Sequence, residues 1–330
     1  MRVLVVTNAY PTEELPSAGT FVGVHVQGLR AAGVDVDVLH LDRASSGRHV
    51  YRGLGERVRR AVASGRPDVV HVAYGGVMAD LVTRALPEHP VVVSFCGSDL
   101  LGGDTGWILE RLSRRYGVRA SYRAARRADA VIAMSQNLLD ALPPDVPRSK
   151  AWIVPYGIDL ERFRPRDRAS SRRELRWDER RRHVLFPASP SRPEKRYRLA
   201  AGAVRRLVDR GLEVDLHALD RVPHQDVPVW IAAADAVVLT SEYEGSPNAV
   251  KEALACNVAV VSVDVGDVGP LLDRVDGCYV ASPTADDVAD KLERVLRGPA
   301  RIDGRSSVEE YAVERVTDRV RSIFETVAGP

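Results

Sequence analysis

The sequence predicts an α/β protein built from two doubly wound parallel domains. Three observations point there. Short apolar runs rich in valine alternate with longer stretches of helical period. The alternation breaks once, at the Pro- and Gly-bearing segment Pro155–Arg168, and then resumes. The chain has 330 residues, long for one core and comfortable for two. A strand covered on both faces reads as an apolar run, and helices between such strands are the crossovers that parallel pairing needs.

In the first half, strands are expected at Val3–Thr7, Val34–Leu41, Val69–Val72, Val91–Phe95, Ala130–Ala133 and Trp152–Val154. Helices fit between them near Thr20–Ala32, Tyr51–Ser64, Gly76–Leu86 and Gly106–Ala128. The second series has strands at Val184–Ala188, Val214–Ala218, Ala236–Leu239, Val258–Val263 and Cys278–Val280. Its last helices fall near Asp286–Leu296 and Ser307–Val327. The expected domains are 1–155 and 156–330, with the last helix able to pack back on the first domain. Ligands in such sheets bind at the strand C-termini.

Composition removes several function classes. Apolar content is 45% and charged content 28%, ordinary for a soluble globular protein. Net charge is +2, so no overall nucleic-acid footprint exists. Cys96, Cys256 and Cys278 show neither metal spacing nor a disulfide framework, and a reducing compartment follows. The chain opens directly on a strand. No leader is read there, no apolar run is long enough to span a bilayer, and a cytoplasmic location is expected. Asp35 and Asp37 alternate along a strand and are rejected as a metal pair; no metal site is expected.

The most informative stretch is SEYEGSPNAVKEALACNVAVVSVDVGDV, Ser241–Val268. A strand ends in a Glu-Gly-Ser-Pro turn, a helix runs to about Cys256, and another apolar strand follows. Ser246 suits an N-cap and Pro247 the first helical position. Free backbone N–H groups at a helix start attract phosphate. Glu244 precedes that start and Glu252 lies inside the helix. Carboxylates accept hydrogen bonds from sugar hydroxyls. Phosphate plus polyol describes a nucleotide sugar.

This stretch resembles the signature of the retaining glycosyltransferases of family 4, which have the GT-B fold: two Rossmann-like domains with a cleft between them. The resemblance implies an N-terminal acceptor domain and a C-terminal nucleotide-sugar domain. Glu252 would hold the ribose hydroxyls and Glu244 the sugar hydroxyls. Gly245, Ser246, Pro247 and Asn248 form the phosphate-binding turn, and Arg192 and Lys195 in SPSRPEKR are similar to the family's cationic pair on the diphosphate. PYGIDLERF, Pro155–Phe163, looks like the interdomain segment, with Tyr156 where asparagine is usual. Gly19, in the loop Tyr10–Val22, is the glycine expected near the phosphates and acceptor. HVAYGG, His71–Gly76, places His71 and Tyr74 on the acceptor side, although His71 reads equally as a core histidine. Asp235 and Asp264 are expected to fix loops.

SFCGSDL, Ser94–Leu100, departs from the family. A histidine that contacts the donor sugar is common where Cys96 stands. A thiol is a weak donor, so that role is not carried over, and Cys96 is expected as an inert wall of the pocket. Asp99 is then the nearest group able to fix a sugar hydroxyl. The stretch Arg111–Arg127 holds seven arginines, a candidate for peripheral membrane contact.

The reading is a retaining, metal-independent glycosyltransferase with no cofactor, a nucleoside-diphosphate sugar (UDP-sugar favoured) as co-substrate, and a hydroxyl of a glycan or small molecule as acceptor. Whole-chain appearance resembles enzymes of teichuronic-acid-type polysaccharide synthesis; antibiotic tailoring enzymes look similar. A nucleotide-sugar epimerase of the same fold and a non-catalytic sugar-nucleotide-binding protein stay open.

Overall fold

A computed structural model describes residues 1–13, 18–43, 47–103 and 108–329. The first part of the chain forms β1 (Arg2–Thr7), α1 (Thr20–Ala31), β2 (Asp35–His40), α2 (Leu54–Gly65), β3 (Val69–Val72), α3 (Gly76–Ala85), β4 (Val91–Phe95), α4 (Ser98–Leu101), α5 (Ile108–Arg127), β5 (Ala130–Ala133), α6 (Gln136–Asp140) and β6 (Ala151–Ile153). There follow α7 (Arg168–Leu175), β7 (Arg182–Phe186), α8 (Tyr197–Asp209), β8 (Val214–Ala218), α9 (Val227–Ala233), β9 (Ala236–Leu239), α10 (Asn248–Ala255), β10 (Ala259–Val263), α11 (Val268–Leu272), β11 (Tyr279–Ala281), α12 (Ala285–Arg297) and α13 (Val313–Ala328). Parts of the expected Tyr10–Val22 loop and of the expected start of the helix at Gly106 lie outside the described residues.

The chain divides into two units, Met1–Gly157 with Val313–Pro330, and Ile158–Ala312. The helix expected across Ser307–Val327 is therefore two pieces. A 3-10 helix, Arg305–Tyr311, belongs to the second unit, where the Ile158 N–H donates to the Tyr311 carbonyl at 2.9 Å. Helix α13 belongs to the first unit and buries Val316, Val320, Ile323 and Phe324 in its core.

Among the described residues the first unit holds a parallel sheet of order β2-β1-β3-β4-β5-β6, and the second a parallel sheet of order β11-β10-β9-β7-β8. Their strands are valine-rich because helices cover both faces: β3, β4, β5, β9 and β10 are buried along their whole length. In each unit the second strand goes to one side of the first and the third to the other. The strand order thus reverses between β1 and β3, and again between β7 and β9. Loops leaving the strand C-termini at such a reversal splay apart and open a crevice for ligands.

Candidate functional site

The loops at the second unit's reversal carry the residues that the sequence singles out. After β7 comes a loop and a 3-10 turn, Pro193–Lys195; after β9 comes the Glu-Gly-Ser-Pro turn into α10; after β10 comes the turn into α11. Polar bonds lace the first two. Thr240 Oγ1 donates to the carbonyl of Lys195 at 2.9 Å, Arg196 Nη2 to the carbonyl of Ser241 at 2.8 Å, and the Glu242 N–H to the carbonyl of Glu194 at 2.8 Å. The third joins through Gly266, which has φ 63°; a Cβ there would meet the Gly245 carbonyl oxygen at 2.1 Å. Only glycine permits that approach.

Lys195 and Glu244 are brought together as a half-buried ion pair. Arg192 is not brought to them. Its side chain is 55% exposed and its Nη2 lies 2.7 Å from Glu194 Oε1. Glu252 is buried on α10, and its Oε1 faces His224 Nε2 at 3.4 Å. On its other nitrogen, His224 Nδ1 lies 3.3 Å from Arg162 Nη1.

The cap is displaced by one residue from the expectation. Pro247 is the N-cap of α10 and Asn248 opens it. Ser246 does not cap because its hydroxyl is used elsewhere: it donates to Asp267 Oδ2 at 2.6 Å and accepts from Lys251 Nζ at 3.0 Å. A proline cap has no side-chain acceptor, so the first-turn N–H groups keep their attraction for an anion. Burial pushes the Lys251 ammonium down to about 8 and the Asp267 carboxyl above its ordinary value.

Six buried side-chain polar atoms lack a hydrogen-bond partner among the described residues, and five of them belong to these loops: Arg196 Nε, Ser241 Oγ, Glu242 Oε2, Asn248 Oδ1 and Asp267 Oδ1. Buried polar atoms are nearly always paired, so at a cluster of exceptions ordered water or a polar ligand completes the bonding. Arg196, His224, Lys251 and Asp267 were not singled out from the sequence. Lys251 and Asp267 lie inside the signature stretch and could have been found there. Arg196 and His224 come close only through folding.

In the first unit Gly19 has φ 61°, and a Cβ on it would lie 2.2 Å from the Ala9 carbonyl carbon. The loop after β1 therefore folds tightly over the start of α1, and Glu14–Ser17 of that loop lie outside the described residues. The Tyr74 hydroxyl lies 2.6 Å from Ser98 Oγ. His71 is in the core, 1% exposed, with Nε2 at 2.8 Å from Ser94 Oγ and Nδ1 at 3.3 Å from His25 Nε2. Of its two sequence readings, the structure gives the core histidine.

Asp99 is buried, and its carboxylate is already engaged. Oδ2 accepts from the Gly75 N–H at 2.8 Å, Oδ1 from the Gly97 N–H at 2.8 Å, and both from the Cys96 N–H at 3.1 Å. It ties the loop after β3 to the loop after β4; the expectation that it fixes a sugar hydroxyl gives way to this positioning role. The Cys96 thiol lies 3.9 Å from the Ala73 carbonyl and 4.0 Å from the Tyr156 hydroxyl. Burial and the Asp99 charge hold it well above the usual thiol range, so it is no thiolate at neutral pH. Asp235, expected to fix a loop, instead ties helix α7 to strand β7, bonding Arg172, Arg168 and the His183 N–H.

Residues 3–162 match the Glycosyltransferase Family 4 model and residues 188–298 the glycosyl transferases group 1 model. The chain is 24% identical over 356 residues, 89% of both chains, to a Bacillus subtilis (strain 168) protein assigned to teichuronic acid biosynthesis as glycosyltransferase TuaC. Among solved structures it is similar to sucrose-phosphate synthase from Thermosynechococcus elongatus, with TM-score 0.72, 16% identity and coverage of 99% and 96% of the two chains. It is also similar to HepE of Anabaena, solved in complex with UDP, with TM-score 0.68, 17% identity and coverage of 98% and 99%. The fold is GT-B. With one family model on each Rossmann-like half, in order along the chain, this protein belongs to the family 4, group 1 glycosyltransferases.

Proposed function

We propose that the second unit binds a nucleoside-diphosphate sugar, with UDP as the nucleotide, and that its sugar passes to an acceptor hydroxyl with retained configuration and without a metal ion. The observation that carries this reading is the gathering of five unpartnered buried polar atoms around Lys195–Glu244 and Glu252 at one strand reversal. Binding of UDP by the similar HepE supports the nucleotide.

In this reading Glu252, held by His224, takes the ribose hydroxyls, and Glu244 takes hydroxyls of the transferred sugar. The diphosphate sits on Lys195, Arg196 and the first-turn N–H groups of α10. These donors stabilise charge as it develops on the leaving group. The acceptor oxygen bonds the anomeric carbon on the face that the diphosphate leaves. The electron pair of the broken bond goes to the diphosphate, and the acceptor proton passes to a phosphate oxygen as it departs. The first unit holds the acceptor through Tyr74 and the loop ending at Gly19, with Cys96 as a small wall. A cytoplasmic location is part of this proposal. No helix of the described residues is long and apolar enough to cross a membrane. On α5, Leu112 and Tyr116 are exposed beside arginines, which supports peripheral contact with an anionic membrane or an acidic acceptor.

The test is incubation with UDP-hexoses in excess EDTA, followed by proton NMR. Slow hydrolysis of the donor, with the α-anomer as the first sugar released from an α-linked donor, is the expected result. Formation of a sugar-nucleotide isomer instead would make the protein an epimerase. A donor left untouched until Mn²⁺ or Mg²⁺ is added would end the metal-free reading.

A further inference from the structure

Away from the donor loops, the second unit carries a cluster that the transferase reading does not use. Strands β7 and β8 pair in parallel, with His183 opposite Asp215 and Leu185 opposite His217. Register partners share a face of the sheet, as do residues two apart on a strand. His183, Asp215 and His217 therefore project together. His183 Nδ1 lies 2.9 Å from His217 Nε2 and 3.9 Å from Asp215 Oδ2, and one ligand atom from each residue lies within 4.8 Å of the others.

The surroundings orient these atoms. His183 Nε2 lies 2.7 Å from the Asp178 carbonyl, which can only accept, so Nε2 carries the proton and Nδ1 keeps its lone pair. A carbonyl behind a histidine is the usual device that aims the opposite nitrogen at a metal. The His217 ring is stacked on Trp177, with centroids 3.6 Å apart and planes within 8°. That stacking fixes the ring plane. The His183 side chain is 1% exposed and the Asp215 side chain 38%, which leaves one open side. Asp215 Oδ2 also accepts from Arg181 Nε at 2.8 Å, and a carboxylate oxygen has two lone-pair sites, one for that donor and one for a cation.

We propose that His183 Nδ1, His217 Nε2 and the Asp215 carboxylate bind a divalent transition-metal ion, zinc in the first instance, with water in the fourth position. Two nitrogens and a carboxylate oxygen suit that borderline ion. A tetrahedral ion with bonds of about 2.0–2.1 Å needs ligand atoms about 3.3 Å apart, so the rings part by about 0.4 Å and the carboxylate closes in, by about 0.6 Å toward His183 and by up to about 1.5 Å toward His217. In the hydrogen-bonded pair His217 Nε2 donates to His183 Nδ1. The ion takes the place of that proton, which moves to His217 Nδ1. The bound ion joins edge strand β8 to β7 and leaves the donor loops untouched.

Calorimetric titration of the chelator-treated full chain with Zn²⁺, with tryptophan emission followed in parallel, tests the site. One ion per chain should bind with a Kd below about 10 μM, and emission should change because Trp177 lies against His217. His217→Ala should weaken binding by about 100-fold and Asp215→Asn by about tenfold, while His217→Ala keeps the affinity for UDP. His183→Gln should behave as His217→Ala does; if it fails to fold, the partly exposed His217 decides the matter. The absence of saturable binding below about 100 μM, or binding that survives His217→Ala, would overturn the proposal. Neither outcome bears on the donor site.

Discussion

At the scale of single residues, Lys195 and Arg192 look alike in the sequence and differ in the structure. Lys195 is half-buried against Glu244, whereas Arg192 is mostly exposed against Glu194. Charge that acts in the transition state affects turnover more than binding. Lys195→Ala is therefore expected to lower kcat by about 100-fold. Arg192→Ala should stay within about threefold, as befits an exposed pair. Steady-state kinetics with one UDP-sugar compares them, and the reverse order would move the diphosphate to Arg192. Asp99 gives a second contrast. An asparagine offers one acceptor oxygen where three N–H groups now bond a carboxylate. Asp99→Asn should cost about 2 kcal/mol or more, visible as a lower melting temperature, with loss of activity following loss of fold. Normal stability with dead chemistry would return Asp99 to the sugar. Cys96→Ala should keep most activity, and alkylation of Cys96 should be slow at neutral pH. Fast alkylation together with an inactive Cys96→Ser enzyme would make the thiol a participant.

At the scale of elements, strands were the most legible feature. Val69–Val72, Val91–Phe95, Ala130–Ala133, Val214–Ala218 and Ala236–Leu239 have the bounds that their apolar runs indicate. Short buried runs between breakers leave little freedom. Helices of the second unit such as α7 and α9 were not read, since their periodicity is short and mixed with prolines and arginines. The cap of α10 was read one residue early because Ser246 looks like a capping serine; its engagement by Asp267 and Lys251 is a tertiary fact.

The packed histidines between α1 and β3 make a different prediction. Burial lowers His25 to about 4 and His71 well below 6.5. The unfolded chain takes up these protons near pH 6.5, and the folded one does not until the pH falls much further. Stability should therefore fall as the pH drops from about 6.5 towards 4, by roughly 3 kcal/mol for His25 alone. Thermal melts across that range should show a shallower pH slope for His25→Leu than for the parent protein. Equal slopes would assign the acid sensitivity to other groups.

At the scale of the whole molecule, the two-unit α/β plan, the family and the signature stretch were legible because each is local along the chain. The strand order was not, since reversal between β7 and β9 is a property of pairing. Yet that reversal is where the loops after β7 and β9 bring together the residues proposed to hold the donor. Contacts made by folding also stayed hidden: His224 on Glu252, Arg196 on Ser241, and His217 beside His183. The central claim is that Glu252 holds a nucleotide ribose at this reversal. Titration calorimetry of UDP against the parent chain and Glu252→Ala tests it most directly. Loss of hydrogen bonds to a charged group, about 1.5–3 kcal/mol each, predicts at least tenfold weaker binding in a variant that still folds. An unchanged UDP affinity in folded Glu252→Ala would contradict the account.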